Sequence, residues 1–530
     1  MLKKSNWEWE QGFFFIILLL HCLPILLLTP FVTLDGPAHL YNAHLMFEVL
    51  FGKTPVIHSF FEFNTFPEPN WTGHFLLMVL QAILPILWAE KVIIILIFVL
   101  MALGFRKLVL TIQPNSTFLS WMVFPFLFNF PLLLGFFNFV LALALLPWWI
   151  NWWLKNHHNG LHVKNGFFIT LLFMVLYFSH LVVFLLAGLS AGIISIFHTP
   201  PGNTKKIFKQ LLYLFIVTMP GLFLSFLFVF IFGTEGYRGE ISYLPVTQLI
   251  DDLLCSRMFI VYDYTSEKVF TYAFTGLMGL LTVIGLRHFN RTFVQRSFGW
   301  ICLSSLLLIF VIPDSLASGG ILSVRLVQWF YLTWCIWLAT LNIPKKAKVF
   351  AGVIAVGFSF GMIKIHWRVQ QELNADAKIF IESATNIEPN SIVLPLNYSS
   401  NWMHSNMSSY LGAMKDVVVL DNYEATQHHF PLVWKRNMDP EIHMGNHVSS
   451  NRPCVNIENS ERMTGLKINY VSVWQRPREL SDSCYLGIIN QFRDLKFRSI
   501  SSGNSLELFS QPATGRQALE NKRTQEDTRD

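Results

Sequence analysis

From Gly12 to about residue 365, apolar residues run in long blocks, each closed by a short polar or basic stretch. The blocks are roughly 15–20 residues long, the length an α-helix needs to cross a ~30 Å hydrocarbon core. Beyond that point the blocks stop. Short apolar runs follow at "SIVLPL" (391–396), "DVVVL" (416–420), "INYVSVW" (468–474) and "SLELFS" (505–510), and they read as strands. A helical pattern covers about 370–384. The expected architecture is a polytopic α-helical membrane domain over 1–365 and a small C-terminal α/β domain over 366–510. The stretch 511–530 has no periodicity and almost no large apolar residues, and reads as a disordered tail.

Charge placement predicts the threading. Basic clusters sit at Lys3/Lys4, Arg106/Lys107, Lys155–Lys164, Lys205/Lys206/Lys209, Arg287–Arg296 and Lys345/Lys346/Lys348. The positive-inside rule places all of them on the cytoplasmic side, which forces an even number of crossings between neighbouring clusters. Crossings are then expected over the first apolar run, at about 91–105 and 117–131, and from the 129–139 turn back to "PWWINWWLK". Two more form a hairpin over 166–197, and five follow near 209–232, 269–286, 299–313, 324–342 and 347–364. That makes about eleven, with a cytoplasmic N-terminus and an extracytoplasmic C-terminal domain. The first run is too long for a signal-peptide core, lacks a small-residue cleavage site and reads as a retained helix. The first outer loop, 33–90, is expected to carry juxtamembrane helices, because "WTGHFLLMVLQAILPILW" contains His74, Gln81 and a mid-run Pro85. In the alternative threading that segment spans as well, and Arg106/Lys107 fall outside.

Composition agrees with a membrane protein. The chain of 530 residues is 53% hydrophobic and 14% charged, with mean hydropathy +0.45; ordinary soluble domains are about a quarter charged. The net charge of +6 is spread over loop clusters rather than an aromatic-interleaved basic stripe, which argues against a nucleic-acid partner. Cys22 and the other cysteines in apolar runs read as buried hydrophobes. Cys454 and Cys484, in the polar third, are able to pair in an oxidising compartment.

Candidate chemistry gathers on the outer side. "FVTLDGPAHLYNAH" leaves the first membrane helix at Asp35, and Pro37 is placed to open the next helix. Asp35 is able to cap that helix; it is also able to act as a general base just outside the hydrocarbon. His39 lies one helical turn on. His44 points about 140° away from His39 on an ideal 3.6-residue helix, so the two face different partners; Tyr41 and His44 are candidate substrate contacts. His180, in "YFSHLVV", is an ionisable group in apolar sequence. Arg325 opens an outer helix end after "SGGILS", where a guanidinium suits a lipid-anchored phosphate. Arg238 and Arg257 are weaker candidates for the same role. The loop "LDNYEATQHHFPLVW" (420–434) either binds a ligand or docks. No His-Glu-x-x-His signature exists, so no metal site is assigned from the sequence, and a divalent cation at Asp35 is left open.

An acid directly after the first transmembrane helix, juxtamembrane helices in a long first outer loop, about eleven crossings and an outer C-terminal domain resemble the GT-C superfamily of integral-membrane glycosyltransferases. The matching position is "TLDGPAHLY", with Asp35 as the matching acid. The resemblance implies a divergent bacterial inner-membrane enzyme using a polyprenyl-phosphate-linked sugar donor and a glycan, lipid or protein acceptor, with Asp35 catalytic; His39, one turn on, is the catalytic partner that helix spacing suggests. Gly36 stands where members commonly carry a second acid, which favours a single-base mechanism over a metal-dependent one. A transporter or flippase of an amphipathic substrate is the alternative, and it predicts polar residues in mid-membrane. A non-catalytic envelope-assembly protein on the same scaffold is a third reading.

Overall fold

The computed structural model describes the chain except for residues 1, 157–162, 198, 200–201, 232–240, 288, 317–318, 428, 445–452, 478–482, 504 and 512–530. The expected disordered tail, past Gln511, thus lies outside the described residues, as does Arg238. Two compact units form. The first contains Met1–Phe31, Pro67–Gly73 and Lys91–Gln371; the second contains Val32–Phe66, His74–Glu90 and Glu372–Asp530. Most of the first outer loop therefore belongs with the C-terminal third.

The first unit is helical. Among the described residues, eight helices are long and apolar enough to cross a membrane: Trp9–Leu27, Ile86–Ile112, Phe137–Asn156, Thr204–Phe230, Tyr264–Leu286, Phe293–Val311, Leu322–Thr340 and Lys345–Asn386. Where the other three crossings are expected, the helices are apolar but shorter, over Thr117–Leu133, Asn165–Ser179 and Leu181–Phe197. The first of these is a 3₁₀ helix, Thr117–Phe126, followed by one short turn, Phe130–Leu133. Pro125 removes a backbone donor there, and Asn129 caps the new turn by accepting from the Leu132 amide at 2.9 Å.

Helix Ile86–Ile112 runs antiparallel to the first helix. At one end, the Lys91 ammonium donates to the Leu26 carbonyl at 3.2 Å and to Thr29 Oγ1 at 2.5 Å. At the other, Arg106 forks onto both oxygens of Glu10, at 2.8 Å and 2.6 Å. The intervening helix Thr72–Gln81 has 10 residues, about 15 Å at 1.5 Å per residue, half of what a crossing needs.

In the second unit, β1 (Phe61–Phe63) pairs antiparallel with β4 (Leu432–Trp434). A five-stranded sheet is formed by β2 (Ile392–Asn397), β3 (Val418–Val419), β5 (Tyr470–Trp474), β6 (Arg498–Ser502) and β7 (Leu506–Ser510), in the order β3-β2-β5-β7-β6. β3, β2 and β5 are parallel, and β7 runs antiparallel to both β5 and β6. Pro395 is tolerated in β2 because β3 pairs only with Ile392 and Val393, so its missing N–H faces no strand on that side. β5, the central strand between β2 and β7, is buried along its whole length.

Cys454 and Cys484 form a disulfide that closes 30 residues of chain. Replacing Cys454 with Ser is expected to cost the second unit about 3–4 kcal/mol through the freed loop entropy. The check is a denaturant titration of the variant against the oxidised parent.

Candidate functional site

The helix Gly36–Phe51 begins as the sequence predicts, with Asp35 before it and Pro37 in its first turn. Asp35 does not cap it: its side chain makes no cap hydrogen bond. Thr33 does that work, its Oγ1 accepting from the Gly36 amide at 3.1 Å and donating to Glu90 Oε1 at 3.2 Å. A Cβ on Gly36 would lie 2.0 Å from that same Glu90 oxygen, so only glycine admits the carboxylate there. A second acid therefore does reach the "DG" turn, but it comes from the far end of the first loop.

Released from capping, the Asp35 carboxylate is held by the C-terminal segment. Asn406 Nδ2 donates to Asp35 Oδ1 at 2.9 Å and to the Leu34 carbonyl at 3.2 Å. The buried Tyr423 hydroxyl also bonds Asp35; burial first, and then the Asp35 charge, push its ionisation far above the ordinary tyrosine value. Asp35 itself is 9% exposed. A carboxylate held by two neutral donors near the limit of solvent contact is oriented and partly desolvated, which are the conditions a general base needs.

Residue 424, next to Tyr423, builds the most concentrated polar cluster. His39 Nδ1 lies 2.6 Å from Glu424 Oε1, and His74 Nε2 lies 2.9 Å from Oε2. The two ring nitrogens are 3.2 Å apart. All three side chains are buried. Burial alone would raise the Glu424 carboxyl; the charges of His39 and then His74, with a hydrogen bond from each, outweigh it and hold the group down at about 2. Phe430 closes the cluster, its ring centroid 5.2 Å from His74 and 6.2 Å from His39.

His44 goes elsewhere, as its angular offset from His39 requires: its Nε2 lies 2.9 Å from Asp416 Oδ1. That hydrogen bond holds the Asp416 carboxyl below its ordinary value. The Tyr41 hydroxyl donates to the Val417 carbonyl and accepts from the Val419 amide, both at 2.9 Å, so backbone groups take it on both sides. A Cβ on Gly412 would lie 2.3 Å from the Tyr41 ring, so this glycine lets the ring in. Asn42 and Asn422 exchange two amide hydrogen bonds of 3.0 Å. Four of the residues singled out in the first loop thus meet the C-terminal segment within the second unit.

Asp421 accepts from Ser408 at 2.5 Å through Oδ2, while its Oδ1 is shut off from solvent and has no hydrogen-bond partner among the described residues. Burial pushes its carboxyl up to about 7. A raised carboxyl contributes stability below its unfolded value and loses it as pH rises through the folded value. Asp421→Asn keeps an acceptor for Ser408 and removes that loss. It is expected to raise the unfolding temperature, by up to a few kcal/mol of stability at about pH 8, with the gain shrinking at about pH 5. Thermal melts at the two pH values check this.

In the first unit, Arg325 and His180 meet: Nη1 of Arg325 lies 2.9 Å from His180 Nε2. The guanidinium stacks over Phe136 at 4.2 Å and lies 5.6 Å from the Phe139 centroid. Arg257 donates to the Ile260 carbonyl at 2.5 Å and covers the Phe130 ring at 4.3 Å. His74, Glu90, Asn406, Tyr423 and Glu424 were not assigned from the sequence. The one signal for them was the polar density of 420–434, which contains Tyr423 and Glu424. No protein-family model matches the chain, and no curated protein matches it.

Proposed function

We propose that the chain is an integral-membrane glycosyltransferase that moves a sugar from a lipid-phosphate donor to an acceptor at the outer face of the membrane, with Asp35 as general base. The observation that carries this reading is the state of Asp35: directly after the first membrane helix, relieved of capping by Thr33, and oriented by Asn406 and Tyr423. In the step, the acceptor hydroxyl gives its proton to the Asp35 carboxylate as its oxygen bonds the anomeric carbon. The bond from that carbon to the donor phosphate breaks, and the lipid phosphate leaves with the electron pair. The anomeric carbon passes through an oxocarbenium-like state. Within the first unit, Arg325 is steadied by His180 and Phe136 and is the candidate for binding a lipid phosphate; Arg257 is committed to Ile260 and Phe130 and is the weaker candidate.

The same reading has eleven crossings, the eight long helices and the three shorter ones, with the N-terminus cytoplasmic and the C-terminal third outside. The Cys454–Cys484 disulfide supports an oxidising compartment for that third. The test is sugar transfer from polyprenyl-phosphate hexoses and pentoses in proteoliposomes. Asp35→Asn, inserted normally, must lose it; retained transfer in that variant overturns the base assignment.

A further inference from the structure

Three segments distant in sequence bring His39, His74 and Glu424 to one point. Their donor atoms all lie within 4.8 Å of one another, and all three residues are buried. Around a tetrahedral Zn²⁺ ion with bonds of about 2.0–2.1 Å to nitrogen, neighbouring donors lie about 3.3–3.5 Å apart. The His39 Nδ1 to His74 Nε2 separation, 3.2 Å, is nearly that edge. The carboxylate oxygens, at 2.6 Å and 2.9 Å, need to withdraw by less than about 1 Å to complete the face.

The charge arrangement points the same way. Protons on His39 Nδ1 and His74 Nε2, each directed at Glu424, crowd together between ring nitrogens only 3.2 Å apart. A divalent ion takes the place of those protons and uses both lone pairs, while the one carboxylate offsets half of its charge in a site that Phe430 shields from water. Two imidazoles and one carboxylate suit a first-row transition ion; Mg²⁺ and Ca²⁺ favour all-oxygen sites.

We propose that His39, His74 and Glu424 form a binding site for a divalent transition metal, Zn²⁺ being the best fit. The ion ties the turn Tyr423–Thr426 to the helix Gly36–Phe51 and to His74. Because Tyr423 bonds Asp35, the ion also fixes the residue that orients that carboxylate. It is a positioning site for Asp35, and its existence does not depend on what reaction Asp35 serves.

The test uses the full, tag-free chain in detergent micelles, stripped with a chelator and titrated with Co²⁺. The wild type is expected to bind one equivalent, with the visible absorption of a low-coordinate cobalt ion, to lose it to Zn²⁺ and to keep it in excess Mg²⁺. Glu424→Gln and His74→Ala are expected to abolish the signal, and His44→Ala, whose ring faces Asp416, to keep it. His74→Cys restores a ligand and is expected to add thiolate-to-cobalt charge transfer, which reports a folded site directly. Absence of stoichiometric binding to the wild type overturns the proposal, as does binding unchanged in Glu424→Gln and His74→Ala. Either result leaves a carboxylate accepting hydrogen bonds from two histidines. Since no sugar substrate enters the measurement, its failure is distinct from failure of the transferase reading.

Discussion

Asp35→Asn is expected to lower sugar transfer by roughly 10²–10⁴-fold, the usual contribution of a positioned general base. The substitution changes charge and basicity with almost no change of shape. Asn406 still finds a carbonyl oxygen at 2.9 Å, and Tyr423 still has a polar partner. The N-terminus of the helix Gly36–Phe51 is untouched, because its cap comes from Thr33. Folding is therefore expected to change by less than about 1 kcal/mol, the scale of one net hydrogen bond. Transfer rate and thermal melt, measured on the same preparation, separate the two effects. Asp35→Glu keeps the base but pushes it outward by one methylene, and a displaced base loses much of its advantage. It should fall between the wild type and the asparagine variant. A wild-type rate in Asp35→Asn would reduce Asp35 to a docking residue for the C-terminal segment.

What could be read from the chain divides along a physical line. Membrane helices are legible because lipid demands a sustained apolar block with every backbone group satisfied locally. The strands Ile392–Asn397, Tyr470–Trp474 and Leu506–Ser510 are legible because each is a short apolar run between turns. Pro37 as a helix starter, and the divergence of His39 from His44, follow from helix geometry alone. The partners of these residues are another matter. Glu90 meets Gly36 and Thr33, and Glu424 meets His39, across stretches of chain over which no periodicity carries information. The glycine after Asp35 illustrates the point: read along the chain it is a missing acid, and in space it is the gap through which an acid enters. The 3₁₀ helix Thr117–Phe126 escaped for a related reason, since hydropathy reports an apolar environment but not the backbone pitch. The three-residue strands β1 and β4 are too short to carry a period at all.

Glu424→Ala is expected to destabilise the second unit by about 3–5 kcal/mol, the cost of removing one partner from a buried charged cluster. Among the described residues the carboxylate is the only acidic group in the cluster, and it serves two buried imidazoles at once. Without it, His39 and His74, 3.2 Å apart, lose the carboxylate they share. The cavity also removes support from the Tyr423–Thr426 turn. For a unit of this size each kcal/mol moves the melting temperature by about 2–4 °C, so a shift of roughly 6–20 °C is expected. His44→Ala is the matched control, because its pair with Asp416 is partly open to water and such pairs contribute about 0–1 kcal/mol. Thermal melts in detergent, followed by limited proteolysis between residues 420 and 434, provide the check. Equal melting temperatures for the two variants would mean that the buried cluster carries no more of the fold than a surface pair does. In that case its three side chains are held in place by their surroundings rather than holding them.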